Sequence, residues 1–314
     1  MVNIKRQRGV ALLTVILIVT LITIATISMR AHQEIGIRRT VNELSHAQAV
    51  MYLRGTEYLA MSVLKEDLKK NKTDTLEEDW ATVMPPFPVD GGSIGGILED
   101  LSGKFNINNL VDIKGKKSPV DYKQFKNLLI NLKLDVEIAD AIVDWIDKDD
   151  TPGAGGAEEG YYLGKEKQAY RTPNQLISSI TELLLVKGID YKVYNKLKNF
   201  ITVLPGRNAI NINTADKEIL KMISPKLTDE DIDTIIKDRE KNPYKDTGTF
   251  SKHVAFKSLS NKDRTDLIKG LDVKSSYFLL TSTAIIGELE ISMKSILKRN
   301  NKGVTVIVRS LGGL

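Results

Sequence analysis

The chain has 314 residues, a net charge of +5, 27% charged residues and no cysteine. This length suits one large domain or two moderate ones that fold in water, and the missing cysteines exclude disulfides, thiolate metal sites and cysteine nucleophiles. Scattered His32, His46 and His253 argue against a histidine zinc site, and the positive surplus is too diffuse among 40 acidic residues to argue for nucleic acid.

The first element is an apolar run from Val10 to Met29. As a helix rising about 1.5 Å per residue, it spans the roughly 30 Å core of a bilayer. Its threonines and serine can bond back to the helix and so are tolerated in lipid. A secretory signal would have an apolar region of about 7–15 residues and a small-residue cleavage site. Here no Ala-x-Ala follows, and helix-compatible sequence continues past Arg30. The basic flank argues against a buried core helix. Lys5, Arg6 and Arg8 place the N-terminus in the cytoplasm and the rest of the chain across the membrane.

Beyond Arg30 no proline occurs until Pro85. Val41, Leu44, Ala47, Met51, Tyr58, Leu59 and Val63 recur at threes and fours, which predicts one long amphipathic helix with these residues against a sheet. The heptad is too irregular for a coiled coil. Strand patterns follow in two places: the short, glycine-punctuated GGSIGGILEDLSGKFNINNL, and then the C-terminal SSYFLLTSTAIIG, ELEISMKSILKRN and KGVTVIVRS. Leu289, Ile291, Met293 and Ser295 alternate with Glu290, Ser292 and Lys294, as in a half-buried antiparallel strand. Asn300 to Gly303 reads as the last hairpin turn.

The separation between these regions is too long for a loop and implies an inserted helical domain. KFNINNL at 104–110 is echoed by AININTA at 209–215, and a helical pattern follows each, which suggests two related subdomains. Thr214 or Asp216 and then Thr228 or Asp229 are N-cap candidates, and two further helices are expected either side of Gly188.

DWIDKDDTPGAGGAEEGYYLG gathers Asp144, Asp147, Asp149, Asp150, Glu158 and Glu159 around a glycine-rich turn. Carboxylates are hard donors suited to Ca²⁺, although the spacing is not that of an EF-hand. A solvated acidic loop is the alternative. A general acid–base pair lacks an accompanying nucleophile or histidine. Tyr161, Tyr162 and Tyr170 are either partner contacts or packing residues.

Arg8-Gly9 before an uninterrupted span resembles the leader of type IV pilins and type II secretion pseudopilins. The resemblance implies cleavage after Gly9 by a prepilin peptidase, methylation, and a mature chain that begins at Val10. Most such subunits have glutamate at the fifth mature position, where this chain has Thr14. In those families the glutamate is thought to neutralise the amine of a neighbouring subunit, so its absence suits the first subunit, at the tip. The leader, the DWIDKD and GGAEEGYYL segments, ININTA and the C-terminal strands together resemble the K-type minor pseudopilin, a calcium-binding family. The resemblance carries the ligand role onto Asp147, Asp149, Asp150, Glu158 and Glu159.

The expected fold is therefore α+β: a pilin-like N-terminal helix on an antiparallel sheet, with an inserted all-helical domain of helix-hairpin-helix-like subdomains. The expected segments are a leader (1–9), a span (10–30), a pseudopilin domain (31–105 and 274–314) and the insert (106–273). The resemblance implies a non-enzymatic inner-membrane subunit, periplasmic in bulk, with I- and J-type minor pseudopilins and the secretion platform as partners. Small residues Ala25, Ala31, Gly36 and Ala47 are candidate helix contacts. The second half of the insert also resembles DNA-binding helix-hairpin-helix modules, so a type IV pilus or DNA-uptake minor pilin is the alternative. Its turn lacks the Gly-x-Gly that would hold a phosphate and carries Asp229, Glu230 and Asp231 instead, which argues against nucleic acid.

Overall fold

The structure is a computed structural model and describes residues 7–165 and 169–312. Lys5 and Arg6 of the basic flank lie outside the described residues. Helix α1 runs unbroken from Gln7–Lys70, 64 residues, with Gly9 in its first turn. Every residue from Val10 to Leu44 is exposed. The hydroxyls of Thr14, Thr20, Thr23 and Thr26 each donate to a carbonyl three or four residues back, which satisfies them without water.

The upper half of α1 lies on a five-stranded antiparallel sheet of order β1-β2-β7-β8-β9. The strands are β1 (Met84–Val89), β2 (Gly92–Asp100), β7 (Tyr277–Ile286), β8 (Leu289–Asn300) and β9 (Gly303–Leu311). Pro85, Pro86 and Pro88 hid β1 from the strand pattern, and they are tolerated because β1 is an edge. The Asp90-Gly91 turn joins β1 to β2 with Gly91 at φ +82°, and Gln48 of α1 donates to Asp90 O at 2.9 Å.

The buried stripe of α1 is not the expected one. Ala49, Leu53, Thr56, Glu57, Ala60 and Leu64 face the sheet, whereas Val41, Leu44, Met51, Tyr58 and Leu59 are exposed, Met51 at 73% and Tyr58 at 70%. Ala47 is also exposed, and Val63 only half-buried. The helix carries two apolar faces, and polar Thr56 and Glu57 disguise the packed one. Glu57 is neutralised there: its carboxylate accepts from Ser295 at 2.7 Å and from Arg309 at 2.6 and 2.9 Å. Burial opposes its ionisation, but these donors and the Arg309 charge hold it below the usual glutamate range.

Arg299, also on the buried side of β8, binds Asp67 of α1 at 2.8 Å and Asp74 in the following loop. It also donates to Ser275 O at 3.0 Å. Around these charges, Leu64, Trp80, Leu98, Phe278, Leu280 and Leu297 pack as one cluster.

Between β2 and β7 the chain builds two subdomains, each closed by a two-residue parallel ladder between its first and last residues. In the first, β3 (Phe105–Asn106) pairs with β4 (Ile201–Thr202); in the second, β5 (Ile210–Asn211) pairs with β6 (Leu271–Asp272). The insert is thus not all-helical: the ladders satisfy backbone groups where each subdomain opens and shuts. The first holds α2 (Pro119–Asn131), α3 (Ile138–Ile146), α4 (Glu159–Leu163) and α5 (Tyr191–Leu197). The second holds α6 (Lys217–Met222), α7 (Asp229–Lys241), α8 (Thr247–Ser251) and α9 (Asn261–Leu267). Before Gly188 (φ +80°) the expected helix is instead a 3₁₀ turn, Ile180–Leu185. A single hydrophobic core runs through both subdomains.

The sequence echo has a chemical basis. Asn106 and Asn211 each accept, through Oδ1, from the amide two residues on. Asn108 brackets the backbone of Ile177, accepting from its N–H at 2.9 Å and donating to its carbonyl at 3.0 Å. Asn213 brackets Tyr244 in the same way, at 3.0 Å each. Thr228 caps α7 in a reciprocal box with Asp231. Asp216 precedes α6 but makes no cap bond, and Thr214 bonds elsewhere.

Thr214 meets Asp100, the buried carboxylate at the joint between sheet and insert. Asp100 accepts from Thr214 Oγ1 and Ser275 Oγ at 2.5 Å and from Ser102 N at 2.7 Å. Burial outweighs these donors and raises its pKa to about 6. The unfolded value is near 3.9, so the folded chain retains a proton that the unfolded chain releases. The stability from this site should be complete below about pH 4 and lost by about pH 6, on the order of 2–3 kcal/mol. Urea unfolding from pH 4 to 7 should show a flatter profile for Asp100→Asn than for the unaltered chain. Parallel profiles would mean that Asp100 titrates as an ordinary aspartate.

Candidate metal centre

Helix α3 is buried along its whole length, its two aspartates Asp140 and Asp144 included. Trp145 fixes it in place, donating to Glu182 Oε1 at 2.9 Å and meeting the Tyr162 ring edge-on at 5.1 Å. The helix ends by delivering Asp144 and Asp147 to the acidic loop. Gly153 N donates to Asp144 Oδ2 at 3.0 Å. Gly156 passes so close that a Cβ there would lie 1.7 Å from Asp144 Oδ2, so any side chain at 156 would displace the Asp144 carboxylate. Lys187 Nζ donates to the carbonyls of Gly155 and Gly156 at 3.2 and 3.0 Å. The loop therefore folds back over α3 and returns at Glu158, beside the residue where it began.

This return brings together Asp147, Asp149 and Glu158, one carboxylate oxygen of each within 4.8 Å of the others. Asp147 and Glu158 are both buried at 7% exposure. Asp147 Oδ1 and both Glu158 carboxylate oxygens are buried without a hydrogen-bond partner. Burial, with repulsion from Asp149 and Asp144, lifts Asp147 to about 6. Burial and neighbouring aspartates lift Glu158 to about 7. Acceptors that are desolvated, unpaired and mutually repelling are costly without a cation. The donor set, all hard oxygen, fits a divalent ion such as calcium.

The other two expected residues lie apart from this group. Asp150 accepts from Asn174 Nδ2 at 3.2 Å, and Glu159 turns outward to Arg171 at 3.1 Å. Asn174, absent from the sequence expectation, has a left-handed backbone (φ 44°) and a buried, unpartnered Oδ1. Its signal was weak: a lone asparagine after Pro173, distant in sequence from the loop. Of the three tyrosines, Tyr162 is core and Tyr170 is half-buried, its hydroxyl donating to Leu185 O at 2.6 Å. Tyr161 is 47% exposed.

At the helix-hairpin-helix-like turn, Asp231 occupies the start of α7 and Asp229 pairs with Lys221 at 2.6 Å. A phosphate would meet carboxylates there.

Two family models, both described as "Type II secretion system (T2SS), protein K", match residues 103–206 and 210–274, the two subdomains in turn. The Type II secretion system protein K of Pseudomonas aeruginosa is 34% identical over 98% of this chain and 94% of its own. This chain belongs to the type II secretion system protein K family. The Aeromonas hydrophila member is 32% identical, with 98% of each chain covered. Among solved structures, a chain of the GspK-GspI-GspJ complex from enterotoxigenic Escherichia coli superposes with a TM-score of 0.78 at 28% identity. That match covers 88% of this chain and 100% of the other. Protein K family membership makes this chain a minor pseudopilin of a type II secretion system, and its apolar N-terminal helix is long enough to span a membrane. The DNA-uptake alternative is not favoured.

In a protein K chain kept free of metal, Glu158 is charged at pH 8, above its raised pKa, and its repulsion is fully expressed. Glu158→Gln should then raise the melting temperature in chelator, on the order of 2–5 °C. An unchanged or lower midpoint would mean that these carboxylates do not conflict.

Proposed function

We propose that the chain is the tip subunit of the type II secretion pseudopilus and that its work is assembly, not catalysis. On this reading residues 10–30 hold it in the inner membrane, N-terminus cytoplasmic and bulk periplasmic, until the secretion platform draws it into the filament. Position 14 is the observation that carries the reading. Its hydroxyl donates to Ala11 O at 2.9 Å, so the helix offers no carboxylate to a neighbour's terminal amine. Buried amine and carboxylate require each other in lipid, so a subunit lacking the carboxylate is placed first, with none above it. The two-subdomain insert adds the bulk that blocks further addition.

The implied partners are I- and J-type minor pseudopilins, as in the Escherichia coli complex. The exposed apolar face of α1, Val41, Leu44, Met51 and Tyr58, supports helix-to-helix packing with them. Ala25, Ala31, Gly36 and Ala47 are likewise exposed and permit close approach. Processing by prepilin peptidase after Gly9, with methylation, completes the reading. The full chain solubilised from membranes should begin at Val10 and co-purify with I- and J-type subunits. Recovery with pilus subunits instead, or an intact leader in the assembled form, would overturn the assignment.

The acidic centre is read as a structural calcium site held by Asp147, Asp149 and Glu158, with Asp150 and Asn174 bracing its rim. A bound ion would cancel the crowded charge and fix the loop against α3. Titrating calcium into the full chain in detergent micelles should release or absorb heat and raise the melting temperature. Glu158→Gln should weaken binding by about tenfold or more. Absence of both heat and thermal shift would remove calcium from the account.

A further inference from the structure

The two edges of the sheet differ in chemistry. β1 has three prolines, none with an amide hydrogen, so a further strand cannot pair along it; a register shift occurs in both edge strands and does not distinguish them. β9 has no proline, is rich in β-branched residues and, among the described residues, pairs only with β8. It borders a groove of about 830 Å³ between the outer face of the sheet and the first subdomain, floored by Leu279, Ile296, Ile307 and Val308 and walled by Leu176. Val308 is 40% and Leu176 43% exposed, so part of this apolar surface is open to water. The volume lies within the range that buries a ligand or several side chains.

The rim is cationic. Lys104, Lys198 and Lys294 line it, and its sole carboxylate, Glu99, is bound to Lys104 at 2.6 Å. Lys198 and Lys294 make no ion pair among the described residues, so the groove presents unbalanced positive charge over an apolar floor. A second copy of this edge cannot balance it, because β9 contains no carboxylate.

We propose that β9 receives an extended acidic segment of a partner protein as an added strand, its apolar side chains entering the groove and its carboxylates meeting Lys198 and Lys294. Main-chain pairing on the open edge would supply affinity, while the groove and lysines would supply selectivity. The inference rests on neither the tip position nor the calcium centre.

The test uses the full chain in micelles and fluorescent nonapeptides read by anisotropy. One peptide carries glutamate, valine, valine and glutamate at its second, fourth, sixth and eighth positions with threonine between, so that all four share the face toward the groove; a second replaces glutamate with lysine, and a third places proline at the centre of the first. The glutamate peptide should bind about tenfold or more tighter than either of the others and weaken with salt. The double variant Lys198→Glu, Lys294→Glu, altering two groups that make no ion pair, should lose about tenfold in affinity for it. Equal binding of the proline peptide would refute strand addition, and indifference to the lysine substitutions would refute the charge argument. No binding up to about 1 mM overturns the proposal. So would self-association abolished by Val308→Pro, which would give the edge to a second copy.

Discussion

Arg299 is where the beginning and the end of this fold meet. Its guanidinium, buried on the helix side of β8, holds Asp67 of α1 and Asp74 of the following loop. A buried ion pair is seldom a net source of stability, yet removing one partner strands charge in a low-dielectric interior, at a cost of about 3–5 kcal/mol. Glu57 and Arg309 repeat the arrangement lower on the helix. Both pairs join α1 to strands that exist only after the whole insert has been traversed. The sheet is therefore completed late in the chain, and the insert must bring its two ends back to one point. The parallel ladders and the Asp100 joint do this.

The acidic centre faces the same electrostatics without a paired guanidinium: Asp147 and Glu158 are buried and repel each other. Arg299 and Arg309 answer the carboxylates beneath the helix, but among the described residues no arginine or lysine forms an ion pair with Asp147 or Glu158, and Lys117 acts on Asp147 only through its field. Lys187 is used on the loop carbonyls.

Much of the architecture was legible in the sequence because it rests on periodicity. The lipid-length run, the alternation in β8 and the turn before β9 all follow from side-chain spacing. What stayed hidden depends on partners distant in sequence. The packed stripe of α1 contains Glu57, apolar in effect only because Ser295 and Arg309 meet it. Asp144 to Glu158 could be read as one acidic loop, but the choice between Glu158 and Glu159 depends on backbone direction at the start of α4. There one side chain points inward and the next reaches Arg171. β1 was concealed because proline is a strand breaker in every position but an edge.

The unbroken α1 has a mechanical consequence. Tension applied at its apolar end would travel along the helix and reach the sheet as shear, with the Glu57 and Arg299 contacts sharing the load. Each insert subdomain is fastened at its own threshold by β3 with β4 or β5 with β6, so that tension bypasses it. The two subdomains are thereby spared the load.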